Sequence, residues 1–202
     1  MKNNEIPLLP GVYYHIFNHA NGFENLFHNE GNYLYFLKKY AEHIPPVADT
    51  LAYCLMPNHI HLMVRIKPEN QLPESLKLSG SSVSQKISRR FGNLFSAYAQ
   101  AFIKQQSRMG SLFIPNFKRK PVENDGYFAN LIHYVHYNPI ESDFVSHPAE
   151  WPHSSFMSLL SDKPSRLSRD EVLAFFGGRD AFLAAHEIKP DDRFLKMVSE
   201  WY

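Results

Sequence analysis

The chain has 202 residues, 44% of them hydrophobic and 14% aromatic, with 21 Lys and Arg against 20 Asp and Glu and a single cysteine, Cys54. That length and apolar content suit one domain with a buried core, or one domain plus a small appendage. A lone cysteine excludes an intrachain disulfide framework, and the sequence has neither a charged-then-apolar leader nor an apolar run of about 18 residues, so a cytoplasmic setting is expected rather than secretion or membrane spanning.

In chain order, Val12 to Phe17 is rich in β-formers and predicts a strand, and Asn18 to Asn25 predicts a loop. Asn32 to Ile44 carries Tyr33, Phe36, Leu37 and Tyr40 at helical spacing, and Pro45-Pro46 stops it. Thr50 to Met56 and His59 to Ile66 read as strands joined by a Pro57-Asn58 turn. Lys67 to Ser82 is polar and loop-like. Val83 to Gln105 is a long helix whose Ile87, Phe91, Leu94, Phe95, Tyr98 and Phe102 recur every three or four residues. Leu112 to Val122 predicts a fourth strand broken by Pro115, and Tyr127 to Tyr137 a third helix stopped by Asn138-Pro139. The order β-α-β-β-α-β-α predicts an α+β fold, a ferredoxin-like split βαβ antiparallel sheet with helices on one face. Beyond Pro148 the composition shifts: a short helix follows Ser155, then one over Asp170 to Phe176 with a Ser168/Glu171 capping box and Gly177-Gly178 behind it, and another from Asp180. We divide the chain into a domain over residues 1–147 and a helical C-terminal extension over 148–202.

The net charge of +1 hides an uneven distribution. Between Ser75 and Val122 there is no Asp or Glu, yet Lys77, Lys86, Arg89, Arg90, Lys104, Arg108, Lys118, Arg119 and Lys120 all fall there. A one-signed segment points to a polyanion, nucleic acid foremost; the plainer alternative is a solvated face matched by acids elsewhere.

The densest chemistry lies in Met56-Pro57-Asn58-His59-Ile60-His61-Leu62. On a strand, His59 and His61 project to one face while Ile60 points to the other. Two imidazoles so placed make half of a divalent-metal site, or else two histidines satisfied on a half-buried strand. The third predicted helix can supply the rest. Phe128, Leu131, Ile132 and Val135 define its buried stripe. At about 100° per residue, Tyr134 and Asn138 lie together on one flank of it, Tyr127 shares that flank, and Tyr137 falls opposite, toward solvent. Tyr134 can thus present a phenol and Asn138 a carbonyl oxygen to a metal at His59 and His61. The plainer reading is that Tyr134 finishes the core edge and Asn138 caps the helix. His133 and His136 leave on other bearings and read as structural or DNA-facing.

Ala52-Tyr53-Cys54-Leu55-Met56-Pro57-Asn58-His59-Ile60-His61-Leu62 resembles the core motif of the HUH single-tyrosine transposases of IS200-like type, and most nearly their REP-associated branch. Tyr14-His15-Ile16-Phe17-Asn18 is similar to that family's first strand, Gly110-Ser111-Leu112-Phe113 with Phe117-Lys118-Arg119-Lys120 to its fourth, Tyr134-Val135-His136-Tyr137-Asn138-Pro139 to its tyrosine helix, and Trp151-Pro152-His153-Ser154-Ser155 to a segment that follows. The resemblance runs from about residue 11 to 157. It implies that His59, His61 and Asn138 bind Mg2+ or Mn2+, and that Tyr134 attacks the scissile phosphate of single-stranded DNA beside a hairpin, leaving a 5′-phosphotyrosine and a free 3′-hydroxyl that permit strand transfer. Lys86, Arg89, Arg90, Lys118, Arg119 and Lys120 would hold phosphates. Relatives often carry a basic residue where this chain has His19. The resemblance leaves open a homodimer with the tyrosine helix supplied in trans or a monomer. A catalytically silent hairpin-binding protein is the alternative; an unrelated metal hydrolase would not need the acid-free basic segment.

Overall fold

The computed structural model describes residues 6–77 and 82–199. Four strands, β1 (Tyr13–His19), β2 (Ala48–Leu55), β3 (His59–Ile66) and β4 (Lys118–Pro121), form one antiparallel sheet in the order β2-β3-β1-β4. Three longer helices belong to the same unit: α1 (Glu30–His43), α3 (Val83–Gln105) and α4 (Asp125–Glu141), with a short α2 (Glu74–Lys77) before α3. Then come α5 (Phe156–Leu160), α6 (Arg169–Phe176), α7 (Arg179–His186) and α8 (Asp192–Ser199). The expected α+β antiparallel sheet is present. Residues 78–81 of the loop predicted over Lys67 to Ser82 lie outside the described residues.

Strand alternation divides the core in two. Ile60, Leu62, Val64 and Ile66 of β3, with Tyr14 and Ile16 of β1, face α1 and α3 and join Phe36, Phe91, Leu94 and Tyr98 in one cluster. The other face, with Met63 of β3 and Ala52 and Cys54 of β2, packs against Leu131, Ile132 and Val135 of α4 and against Phe156, Val172 and Phe182 of the extension. Helices therefore cover both faces, not one. The physical reason is β3 itself, which is apolar at even positions and at Met63, so neither face tolerates water.

Local signals set the helix starts. Asn29 caps α1 by accepting from Asn32 N–H, Ser82 and Gln85 form a capping box on α3, and Asn124 caps α4 through Tyr127 N–H. Elsewhere the structure differs from the sequence expectation. The fourth strand shrinks to four residues, because Pro115 and Asn116, the latter at φ 65°, make a turn that drops Leu112, Phe113 and Phe117 onto α3 as buried loop residues. α4 continues through Pro139 to Glu141, and Ser142 N–H closes its last turn on Asn138 O. Proline denies an N–H only to the Val135 carbonyl, a local loss that surrounding packing outweighs. Ser168 makes no side-chain cap on α6; Glu171 instead bonds Tyr13 Oη and Arg65. Tyr137 is half-buried rather than solvent-facing, since the extension wraps the outer side of α4. The Trp151–Ser155 segment runs along the edge of β2, with Leu55 N–H donating to His153 O and Ser155 N–H to Tyr53 O, so that edge is covered.

Candidate active site on the histidine face of the sheet

The antiparallel register sets Phe17 opposite His61 and His19 opposite His59. His15, Phe17, His19, His59 and His61 therefore share one face, the one that α4 crosses. His19 and His59 stack nearly parallel, ring centroids 5.5 Å apart at 9°. His15 and His61, a diagonal pair across the strands, stack at 5.1 Å, with His15 Nε2 2.9 Å from His61 Nδ1.

α4 brings Asn138 between the two motif histidines. Its Oδ1 lies 2.7 Å from His59 Nε2 and its Nδ2 3.1 Å from His61 Nε2. One helical turn earlier, Tyr134 sets its ring edge-on to His61 at 5.3 Å, and Phe194 of α8 lies 6.2 Å from it, so Tyr134 is only 5% exposed. Tyr134, Asn138 and His59 line one cleft of about 480 Å³ together with His19, Asn58, Glu141 and Leu195. Asn138 is thus an interior residue of α4 whose side chain enters the site, not the cap of a helix end.

Electrostatics keep the rings neutral. Burial pushes His15 down to about 3 and His59 down to about 4, the Asn138 contact opposing the latter shift in part. Burial also holds His61 well below its ordinary value, reinforced by His59, His15 and His19 around it. Neutral imidazole is the form that binds a metal.

The donor set fits a divalent ion. Among the described residues no three His, Cys, Asp or Glu side chains cluster to hold a metal by themselves, but the Asn138 carboxamide reaches both motif histidines. A neutral imidazole has one N–H, yet His59 meets an amide oxygen at each nitrogen: Asn58 Oδ1 at Nδ1, 2.8 Å, and Asn138 Oδ1 at Nε2, 2.7 Å. With the amides so oriented, one of these contacts has no proton in it. Turning the Asn58 amide so that Nδ2 donates to His59 Nδ1, or placing a cation on the Nε2 side, removes the conflict.

The basic residues separate. Lys118 and Lys120 pair with Phe17 and His15 across β1/β4 and so point to the histidine face. Arg119 points to the opposite face, where it is 7% exposed, donates to Ser88 Oγ and lies 4.5 Å from the Phe117 ring centroid. Strand alternation thus parts Arg119 from Lys118 and Lys120 and sets it, mostly buried, along a cleft that Arg89 also lines. On α3, Arg89 is exposed, Arg90 half-buried, and Lys86 donates to Leu76 O. Arg108 pairs with Glu24 at 2.7 Å, so part of the basic segment is matched by an acid elsewhere.

Comparison with known proteins places the chain. A family model described as "Transposase IS200 like" matches residues 10–138, more than half of the sequence. The chain belongs to this family. A "Putative REP-associated tyrosine transposase" of Haemophilus influenzae is 28% identical over 121 residues, which span 59% of this chain and 64% of that protein. A solved structure described as "Structure of the REP associates tyrosine transposase bound to a REP hairpin" superposes with a TM-score of 0.59 at 17% identity, covering 81% of this chain and 89% of that one, a likeness of fold. Among IS200-like transposase elements, the matched span ends on Asn138 and so takes in β1, the histidine strand and α4 up to its carboxamide.

Reading the sequence alone underrated His15, His19 and Asn58. The signal was present in β1, whose odd positions hold Tyr13, His15, Phe17 and His19, but their partners became known only with the register. His136 is structural: His186 Nδ1 donates to Phe182 O, so its Nε2 accepts from His136 Nδ1, 3.0 Å away, and His136 Nε2 accepts from Ser155 Oγ at 2.8 Å.

Proposed function

We propose that the chain is a metal-dependent endonuclease and strand transferase of single-stranded DNA that cuts beside DNA hairpins through a 5′-phosphotyrosine at Tyr134. The observation that carries this reading is the convergence of His59 Nε2 and His61 Nε2 on the Asn138 carboxamide, with the Tyr134 ring against His61 and with His59, Asn138 and Tyr134 lining one cleft. Mg2+ or Mn2+ held by His59, His61 and Asn138 supplies positive charge beside the scissile phosphate, and the imidazole ligands favour Mn2+. Tyr134 Oη attacks phosphorus in line and gives up its proton; the bond from phosphorus to the 3′-oxygen breaks, and that oxygen takes a proton to become a 3′-hydroxyl. A different 3′-end attacking the phosphotyrosine reverses the step and transfers the strand.

Lys118 and Lys120 on the histidine face, and Lys86, Arg89 and Arg90 on α3, provide cationic ground for phosphates. Phe23 stands fully exposed on a loop braced by the Arg108–Glu24 pair and by Asn21 N–H donating to Leu112 O, and it offers a face to an unpaired base. The hairpin partner is carried over from the structural neighbour, which was solved bound to a REP hairpin. α4 meets His59 and His61 of its own chain, a site built in cis, as in a monomer.

Incubating the protein and a Tyr134→Phe variant with Mn2+ and oligonucleotides from the gene's flanking DNA tests the proposal on a denaturing gel. A metal-dependent covalent adduct in the wild type alone is expected. Tight hairpin binding with no adduct from the wild type would favour the catalytically silent alternative.

A further inference from the structure

Each candidate histidine ligand has a second nitrogen, and each of these is occupied. His59 Nδ1 faces Asn58 Oδ1 at 2.8 Å and His61 Nδ1 faces His15 Nε2 at 2.9 Å. Ligation through Nε2 requires the lone pair there, and hence the proton on Nδ1. An acceptor opposite Nδ1 is what holds that tautomer and the ring's orientation. Asn58 Oδ1 is the acceptor placed beside His59. His15 is the corresponding group beside His61, and it is locked in place: fully buried, stacked on Phe17 at 4.6 Å and on His61 at 5.1 Å, and edge-on to Tyr134 at 6.4 Å.

We infer that His15 is a positioning residue of the site, its Nε2 accepting from His61 Nδ1–H so that the His61 Nε2 lone pair is aimed at the Asn138 carboxamide and at a cation bound there. The inference rests on the metal-dependent reading above. It gives the first strand a chemical part in a site otherwise assigned to β3 and α4. Because His15 also touches the Tyr134 ring, one buried side chain sets the mutual orientation of a ligand and the nucleophile.

Two substitutions separate positioning from packing. His15→Leu fills the space and removes the acceptor. His15→Gln keeps an acceptor oxygen but buries an amide less well matched to the apolar surroundings. Mn2+ affinity by calorimetry and thermal unfolding are read on the wild type, both variants and a His61→Ala control. Positioning predicts that Leu weakens Mn2+ binding about 10–100-fold while the protein stays folded, and that Gln stays near wild type although it melts no higher than Leu. A purely structural His15 makes affinity follow melting temperature in both variants, which overturns the inference. So does unchanged affinity in His15→Leu. A wild type that binds no Mn2+, or binds it equally after His61→Ala, overturns the metal reading itself, a separate and recognisable failure. Should His15→Leu not fold, imidazole nitrogen NMR of the metal-free wild type decides: the proton on His61 Nδ1 supports the inference, and the proton on Nε2 overturns it.

Discussion

Neighbouring residues of opposite fate show how finely strand alternation sorts function. Lys118, Arg119 and Lys120 are one basic run in the sequence, but only the outer two share a face with His15 and Phe17. Substituting either lysine by alanine is expected to weaken binding of single-stranded DNA uniformly across sequences and to lower the salt slope of log K by about 0.7–1, with little change in melting temperature. Arg119→Ala is expected to leave the slope unchanged and to cost about 1–3 kcal/mol of stability, because it strands the Ser88 contact and exposes Phe117. Salt titrations of binding, paired with urea unfolding, check both. The histidine pair was legible from the spacing of His59 and His61 alone. The buried state of Arg119 was not, since it depends on how β4 registers against β1.

Among elements, α4 carries the most consequence. Its apolar stripe was readable from Phe128, Leu131, Ile132 and Val135, and its flank correctly joined Tyr134 to Asn138. Its length and its outer face were not readable, because Pro139 reads locally as a stop and because the coverage of Tyr137 and His136 comes from residues some fifty positions later, His186 among them. The relay from Phe182 O through His186 and His136 to Ser155 ties α7, α4 and the covered edge of β2 together. His136→Ala leaves two buried polar partners unsatisfied beside a cavity, so we expect a loss of about 2–5 kcal/mol. Limited proteolysis should then cut first between α6 and α8.

For the whole molecule, the buried histidines make stability depend on pH. His15 and His186 are held at about 3 and His59 at about 4, with His61 and His136 also well below the ordinary value, in each case chiefly by burial. Their folded-state values lie below the unfolded value, so the unfolded chain binds more protons on acidification. The stability is whole above about pH 6.5 and falls as pH drops toward 3, by about 1.4 kcal/mol per pH unit for each such histidine. Denaturant midpoints at pH 7.5 and pH 5 should therefore differ far more than in a variant with His136 and His186 both replaced by apolar residues. The site's position within one chain has its own test. Mixing Tyr134→Phe with His59→Ala protein should restore no adduct, whereas recovery would mean that α4 is exchanged between subunits.

The Asn138 carboxamide stands 77 and 79 positions along the chain from the histidines it touches. Contacts of that span are slow to close and form after local structure is in place. During synthesis, at about 5–20 residues per second, β1 and the histidine strand emerge well before α4 exists, and the helices that pack on α4 follow it. On the proposed reading, the emerging polypeptide cannot complete the site until α4 has been made. A truncated product ending before α4 would keep its histidines but lack Tyr134 and the carboxamide, so premature termination would yield a fragment without the proposed activity.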